Sequence, residues 1–134
     1  MTEYDILVAG RNASLVEYLA KTISHLANNP VEKVFTLGGL LDTETQPFLI
    51  FLSSELVQIR DEDQQSLVFE LIIRSLPNAN LIVFGEDSIS MNLAYVSMGA
   101  RDFLTNEMLT SPRIEKYLKK RLRSDWTLRP LFAN

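Results

Sequence analysis

The chain has 134 residues, about the length of one domain, and its 46% hydrophobic and 22% charged content is ordinary for a globular protein. It contains no cysteine, which excludes disulfides, thiolate metal sites and a cysteine nucleophile. A net charge of −4 argues against broad nucleic-acid binding. Its apolar runs fall well short of the roughly 20 residues that cross a bilayer, and residues 1–11 lack the layout of a signal peptide. We therefore expect a cytoplasmic protein with no integral membrane segment.

Apolar runs alternate with amphipathic segments in the first half of the chain. Strands are predicted at Tyr4–Ala9, Lys33–Leu37 and Phe48–Leu52. Ser14 and Glu17 fit a capping box that begins the first helix, and Pro30 ends it. Only ten residues separate the second strand from the third, so the second helix has room for one or two turns.

The second half repeats this alternation. A third helix, capped by Asp61, is predicted to face the sheet with Leu67, Val68, Leu71 and Ile72, while Phe69 and Ile73 widen its apolar arc. Strands are predicted at Leu81–Phe84 and Arg101–Thr105. The helix between them begins at a Ser88 cap and ends at Gly99, where a left-handed residue is usually needed. Ser111 and Pro112 begin the last helix.

The order of these elements predicts the fold class. Strands that alternate with helices form a parallel sheet with helices on both faces and right-handed crossovers. We therefore predict one doubly wound five-stranded α/β domain over residues 1–123. Residues 124–134 form an apolar tail that either folds back onto the domain or leads into a following one. In such folds, functional groups gather at the carboxyl ends of the strands.

The segment Gly99-Ala100-Arg101-Asp102-Phe103-Leu104-Thr105, placed after a buried strand and a capped helix, resembles the second half of a response-regulator receiver domain. This resemblance extends through nearly the whole chain and implies a CheY/flavodoxin-like (βα)5 fold with a shortened second helix. It also implies a set of functional positions. A working receiver has an aspartate that accepts a phosphoryl group, an acidic pair for magnesium, a hydroxyl residue and a lysine.

At each of these positions the sequence has a different residue. Gly10 and Arg11 stand where the acidic pair would be, and Ser53 stands in place of the phosphoacceptor. Gly85 replaces the hydroxyl residue and Asn106 replaces the lysine. A serine hydroxyl without a base is a poor nucleophile. The resemblance is therefore to a degenerate pseudo-receiver, which we expect to have no enzymatic activity, no metal and no cofactor.

The receiver resemblance also implies a partner surface, formed by the fourth helix, the fifth strand and the fifth helix. The residues expected there are Met91, Tyr95, Met98, Arg101, Phe103 and Tyr117. A homodimer or a complex with another protein is expected. Pseudo-receivers of this kind include the N-terminal domains of the TadZ/CpaE pilus-assembly ATPases, which help to localise the secretion machinery.

A second hypothesis belongs to another class of function. In it, the carboxyl edge binds a small anionic ligand through Arg11, Ser53, Ser54 and Asn106, and the domain is a sensor. A hydrolase that uses Ser53 is a weak third hypothesis, because no histidine is placed to activate the hydroxyl.

Overall fold

The computed structural model describes residues 6–44, 46–57, 62–77, 79–86 and 94–122. The strands are β1 (Ile6–Ala9), β2 (Val31–Val34), β3 (Leu49–Ser53), β4 (Asn80–Gly85) and β5 (Asp102–Thr105). The longer helices are α1 (Ala13–Ala27), α4 (Glu62–Ser75) and α7 (Arg113–Leu122). The shorter ones are α2 (Leu37–Leu41), α3 (Ser54–Val57), α5 (residues 94–97) and α6 (Asn106–Leu109).

The five strands form one parallel sheet in the order β2-β1-β3-β4-β5. The register places Val8 opposite Phe51, and Phe51 opposite Ile82. Both faces of this sheet are covered, because every residue of β3 is buried. Strands buried on both faces need a nearly continuous apolar sequence. The predicted doubly wound α/β fold is therefore confirmed.

Two apolar clusters hold the helices to the two faces of the sheet. On one face, Val8, Phe51 and Phe84 pack with residues of α1, α6 and α7. On the other face, Ile50 and Leu52 pack with residues of α2, α3, α4 and α5. Side chains alternate along each strand, so neighbouring residues of β3 belong to opposite clusters. Because neighbouring strands are all parallel, their carboxyl ends lie at one edge of the sheet.

Helix α1 begins two residues earlier than predicted. The backbone N–H of Leu15 donates to Asn12 Oδ1 at 3.1 Å, so Asn12 is the cap and Ser14 lies inside the helix. An asparagine side chain reaches the third amide of a helix as readily as a serine does. The helix ends at Asn28, which has the left-handed φ of 52°. The capping box at Ser14 and Glu17 was therefore wrong.

The orientation of α4 also differs from the prediction. Its buried positions include Phe69 and Ile72, and Leu76 is buried just beyond its end, whereas Leu67 is 62% and Leu71 is 49% exposed. The spacing of three and four residues between the buried positions is that of one helical stripe. Leu67 and Leu71 were therefore assigned to the wrong face, because the sequence is apolar on both sides of this helix.

Several boundaries can be compared directly. The short second helix is confirmed as α2, and Thr36 Oγ1 caps it by accepting from Gly39 N at 2.9 Å. The second strand spans Val31–Val34 instead of the predicted 33–37. Gly99 has the predicted positive φ, at 120°. Ser111 Oγ accepts from Arg113 N at 3.2 Å at the start of α7.

The predicted Asp61 and Ser88 caps and the tail 124–134 lie outside the described residues. None of the described helices combines the length and the apolar character that crossing a membrane requires.

Candidate functional site at the carboxyl edge of the sheet

A pocket of about 130 Å³ lies where the carboxyl ends of the strands meet the following loops. Its apolar wall is formed by Leu15, Val16 and Phe84. Its polar lining consists of Asn12, Ser53, Ser54, Glu55, Glu86 and Asn106. The polar groups come from segments far apart in the sequence, as expected for a site at the edge of a parallel sheet.

Ser53 ends β3 and lies in the wall of this pocket. It is only 7% exposed, and its Oγ accepts from the backbone N–H of Glu55 at 3.3 Å. This is a local hydrogen bond at the start of α3, of the kind that serines commonly make where a strand passes into a helix. The Ser53 hydroxyl is therefore used in a hydrogen bond to the backbone at the start of α3.

Ser54 occupies the space that a side chain at residue 85 would need. A Cβ atom built on Gly85 would lie 2.2 Å from Ser54 Oγ and 3.1 Å from Ser54 Cβ. Glycine is therefore the residue that this close approach allows. In the sequence, Gly85 marks the loss of a hydroxyl residue, whereas in the structure the buried Ser54, the first residue of α3, lies beside it. The adjacent serines Ser53 and Ser54 were the sequence signal that could have indicated this hydroxyl.

Gly10 lies beneath the pocket, and Arg11 lies away from it. A Cβ on Gly10 would meet Val16 Cγ2 at 3.0 Å and Ser53 Cβ at 3.2 Å, so the first strand end and β3 approach closely there. Arg11 is exposed and is absent from the described pocket lining. The structure therefore does not bring Arg11 together with Ser53, Ser54 and Asn106.

Asn106 is the first residue of α6, which Thr105 caps by accepting from Met108 N at 3.1 Å. Asn106 Oδ1 is buried, and within the described part of the chain no group donates a hydrogen bond to it. The charged groups in the described lining are the carboxylates of Glu55 and Glu86. Two carboxylates repel an anion, so this lining opposes the anionic-ligand hypothesis.

The described residues contain no group of three or more histidine, cysteine, aspartate or glutamate side chains that could hold a metal ion. Glu55 and Glu86 are both exposed, and the remaining polar groups of the lining are amides and hydroxyls. The lining thus has oxygen atoms but lacks the dense carboxylate set that a hard divalent cation prefers.

Comparisons with solved structures reveal similarity of fold. A candidate pilus assembly protein (cpaE) from Burkholderia thailandensis matches with a TM-score of 0.70 at 19% identity, covering 90% of this chain and 99% of that chain. The receiver domain of a DNA-binding response regulator from Colwellia psychrerythraea matches with a TM-score of 0.70 at 17% identity, covering 91% and 100%. The receiver domain of a candidate Luxo repressor from Vibrio parahaemolyticus reaches 0.71 at 16% identity, covering 98% of each chain.

The chain has the receiver fold. No family model and no curated protein matches the sequence, so the relationship is visible in the structure alone. Of the five positions that the resemblance marked, Ser53, Gly85 and Asn106 line the pocket of this receiver fold, and Gly10 packs against Ser53. Gly10 and Arg11 are both absent from the described lining, and Arg11 is exposed.

Two of the expected interface residues belong to the core of the receiver fold. Tyr95 is 1% and Phe103 is 7% exposed, and their rings stack with centroids 5.8 Å apart. The ring of Phe69 also packs against Tyr95, with the ring centroids 5.4 Å apart. These rings join α4, α5 and β5. Burial therefore corrects the expectation that Tyr95 and Phe103 offer surface to a partner, because a helix that is apolar on two sides can bury both.

The other expected interface residues are more accessible. Arg101 is exposed, and its Nε donates to Asn80 Oδ1 at 3.0 Å. Met98 is half-buried. Tyr117, also half-buried, donates from its hydroxyl to Asp102 Oδ2 at 2.8 Å and so ties α7 to β5. Met91 lies outside the described residues.

Proposed function

We propose that this chain is a receiver-like domain that acts in the cytoplasm through protein–protein contacts and without phosphorylation. The observation that carries the proposal is the position of Ser53. It ends the central strand, where the receiver resemblance expects the phosphoacceptor, and its hydroxyl is buried and bonded to the backbone of Glu55. No base lies among its hydrogen-bond partners in the described residues, and a serine needs one to attack phosphorus.

The remaining pocket chemistry agrees with this proposal. Ser54 fills the space beside Gly85, so a side chain at residue 85 would have to displace Ser54 before it could reach a phosphoryl group. Asn106 offers an amide where a cation would have to neutralise phosphate charge. The domain keeps the fold and its core, while the groups that would make it a switch are different. We therefore propose that it has no enzymatic activity.

The surface proposed for the partner is formed by residues 96–101 and the outer face of α7. Val96 and Arg101 are exposed, and Met98 is half-buried. Five of the thirteen basic residues of the chain fall within the ten residues of α7, although the chain as a whole carries a charge of −4. Such a local excess of positive charge steers acidic surfaces towards it. A partner with an acidic contact surface fits this side of the domain.

The structural neighbours suggest where such a domain would act. Besides the cpaE protein, a candidate pilus assembly-related protein from Burkholderia pseudomallei matches with a TM-score of 0.64 at 20% identity, covering 87% of each chain. Two neighbours from pilus assembly support a role in localising or assembling such a machine. A second copy of the chain is the simplest partner, since a chain with a net charge of −4 also carries acidic surface that can meet the basic side of its neighbour.

Light scattering across a concentration series tests the proposal. We expect the wild-type mass to rise towards that of a dimer, and Arg101→Glu or Lys116→Glu to return it to that of a monomer, because both exposed cations lie on the proposed surface. Lys21→Glu on α1 makes the same charge reversal elsewhere and should leave association unchanged. Far-ultraviolet circular dichroism confirms folding. A wild-type monomer, or equal effects of all three variants, would exclude self-association through this surface.

A further inference from the structure

A cleft between α1 and α7 opens onto the surface of the domain. Its volume is about 340 Å³, and its lining consists of Tyr18, Lys21, Thr22, His25, Leu26 and Glu115. Tyr18 is 43% exposed, and Leu26 is half-buried against the core on this face of the sheet. Both helices pack on the same face, so the cleft follows the line where they meet. An exposed aromatic ring beside a partly buried leucine favours an apolar side chain as the occupant.

The sequence supplies such a side chain directly after α7. Residues 123–134 lie outside the described part of the chain, and they contain four large apolar residues: Trp126, Leu128, Leu131 and Phe132. A segment of this composition gains free energy when these side chains leave water. Trp126 is the first of the four after the helix and the only tryptophan in the sequence. It is therefore the first candidate for the cleft.

The length of α7 beyond the cleft allows Trp126 to reach it. Glu115 lines the cleft, and α7 ends at Leu122, which lies about 10 Å further along the helix axis at a rise of about 1.5 Å per residue. The chain from Leu122 to Trp126, when extended, spans up to about 13 Å. A chain that turns back after α7 therefore brings the indole to the cleft. The exposed leucines of α4, Leu67 and Leu71, lie on the opposite face of the sheet.

The chemistry of the cleft also fits Trp126. The ammonium group of Lys21 belongs to the lining and can lie against the face of an indole, which attracts cations more strongly than the other aromatic rings do. Tyr18 offers a second aromatic ring, and aromatic pairs are favoured beyond the area that they bury. Asp125 precedes the indole in the sequence and can pair with Lys21. Exposed ion pairs stabilise only weakly, so burial of the ring provides most of the binding.

We propose that the segment after α7 folds back and places the Trp126 indole in the cleft between α1 and α7. The indole then joins the two helices at a position where their described side chains leave space between them. While it is bound, the cleft is closed to other proteins. Arg101 and Lys116 of the proposed partner surface are absent from the described lining of the cleft, so this inference does not depend on the proposed association.

The tryptophan fluorescence of the whole chain tests the inference, because Trp126 is its only tryptophan. We expect acrylamide to quench the native chain at least about threefold less efficiently than the urea-unfolded chain, since a packed indole is shielded from the quencher. The emission maximum of the native chain should also lie at a shorter wavelength. Equal quenching of the two forms would show that the ring is in solvent and would overturn the inference.

Variants on the two faces of the sheet locate the ring. Tyr18→Ala removes one wall of the cleft and should raise the quenching of the native chain at least about twofold. Leu67→Ala is the matched control, because it removes an exposed apolar side chain from α4 and should leave the quenching unchanged. Lys21→Glu alters only an exposed side chain of the cleft and should also raise the quenching, with circular dichroism unchanged. If neither cleft variant alters the quenching, the ring lies elsewhere and the assignment is wrong.

Dilution distinguishes the segment of the same chain from that of a second copy. An indole bound within its own chain is shielded equally at all protein concentrations, because its effective concentration is set by the connecting residues. A loss of shielding that follows the fall in mass on dilution would assign the cleft to a second copy and overturn the inference. Arg101→Glu, which should dissociate the proposed dimer, should leave the shielding of Trp126 unchanged. The two proposals therefore fail separately.

Discussion

At Gly85 the path of the main chain depends on the side chain of Ser54, the first residue of α3. The space beside its Cα is filled by Ser54, whose Oγ would lie 2.2 Å from an added Cβ atom. Gly85→Ala is therefore expected to destabilise the domain by about 1–3 kcal/mol, since inserting a methyl group into a packed site forces neighbours to shift. Chemical denaturation of the two proteins measures this difference.

Ser54→Ala supplies the control for that prediction. It removes the nearer clashing atom but keeps Cβ, so the double variant should recover part of the stability lost in Gly85→Ala. A coupling energy of about 0.5–3 kcal/mol is usual for residues in contact. Gly38→Ala is the matched glycine substitution, because nothing lies within 4 Å of a Cβ there and the residue is helical. Additive effects of Gly85→Ala and Ser54→Ala would contradict the proposed steric coupling.

Among the elements, α4 is the helix whose orientation decides how the aromatic rings meet. Phe69 is fully buried and contacts the Tyr95 ring, while Leu67, two residues earlier, is 62% exposed. Phe69→Ala should therefore cost about 3–5 kcal/mol of unfolding free energy, the usual range for removing a buried ring. Leu67→Ala on the same helix should change it by less than about 0.5 kcal/mol. Urea denaturation of both variants gives the comparison, and a larger loss from Leu67→Ala would reverse the assigned helix face.

The same helix indicates how far sequence alone reaches. The number of strands, their order along the chain and their parallel pairing could be predicted, because each apolar run is short and the helices between the runs are amphipathic. The buried face of α4 could not, since apolar residues occur on both of its sides and only tertiary packing selects Phe69 over Leu67. At the N-terminus of α1, the sequence pattern favoured Ser14 as the cap, whereas the hydrogen bond from Leu15 N to the Asn12 side chain makes Asn12 the cap.

The candidate site shows a similar limit. Ser53, Gly85 and Asn106 were selected because the receiver resemblance marks these positions at or after strand ends, and these three do line one pocket. The carboxylates Glu55 and Glu86 were missed as its charged lining, because the loop path and not the strand pattern brings them there. Tyr95 was assigned to the surface for want of the contacts that bury it. The positions after the strands therefore locate the pocket, whereas the path of the loops determines which charged side chains line it.

For the molecule as a whole, the strongest expectation concerns phosphorylation. Incubation with acetyl phosphate and magnesium should leave the mass of the intact protein unchanged, because Ser53 lacks an activating base in the described structure and Gly10 and Arg11 provide no metal ligands. Magnesium should also leave the melting temperature unchanged, since a ligand that does not bind the folded state cannot stabilise it. A conventional receiver domain treated in parallel serves as the control.

The two readouts of that experiment separate the possible failures. A magnesium-dependent phosphoryl adduct that disappears in Ser53→Ala would overturn the pseudo-receiver proposal at its central residue. A rise in melting temperature with magnesium but no adduct would instead reveal a metal site without transfer chemistry. With both readouts flat, any regulation of this domain must come through binding, so changes in its association state become the quantity to follow.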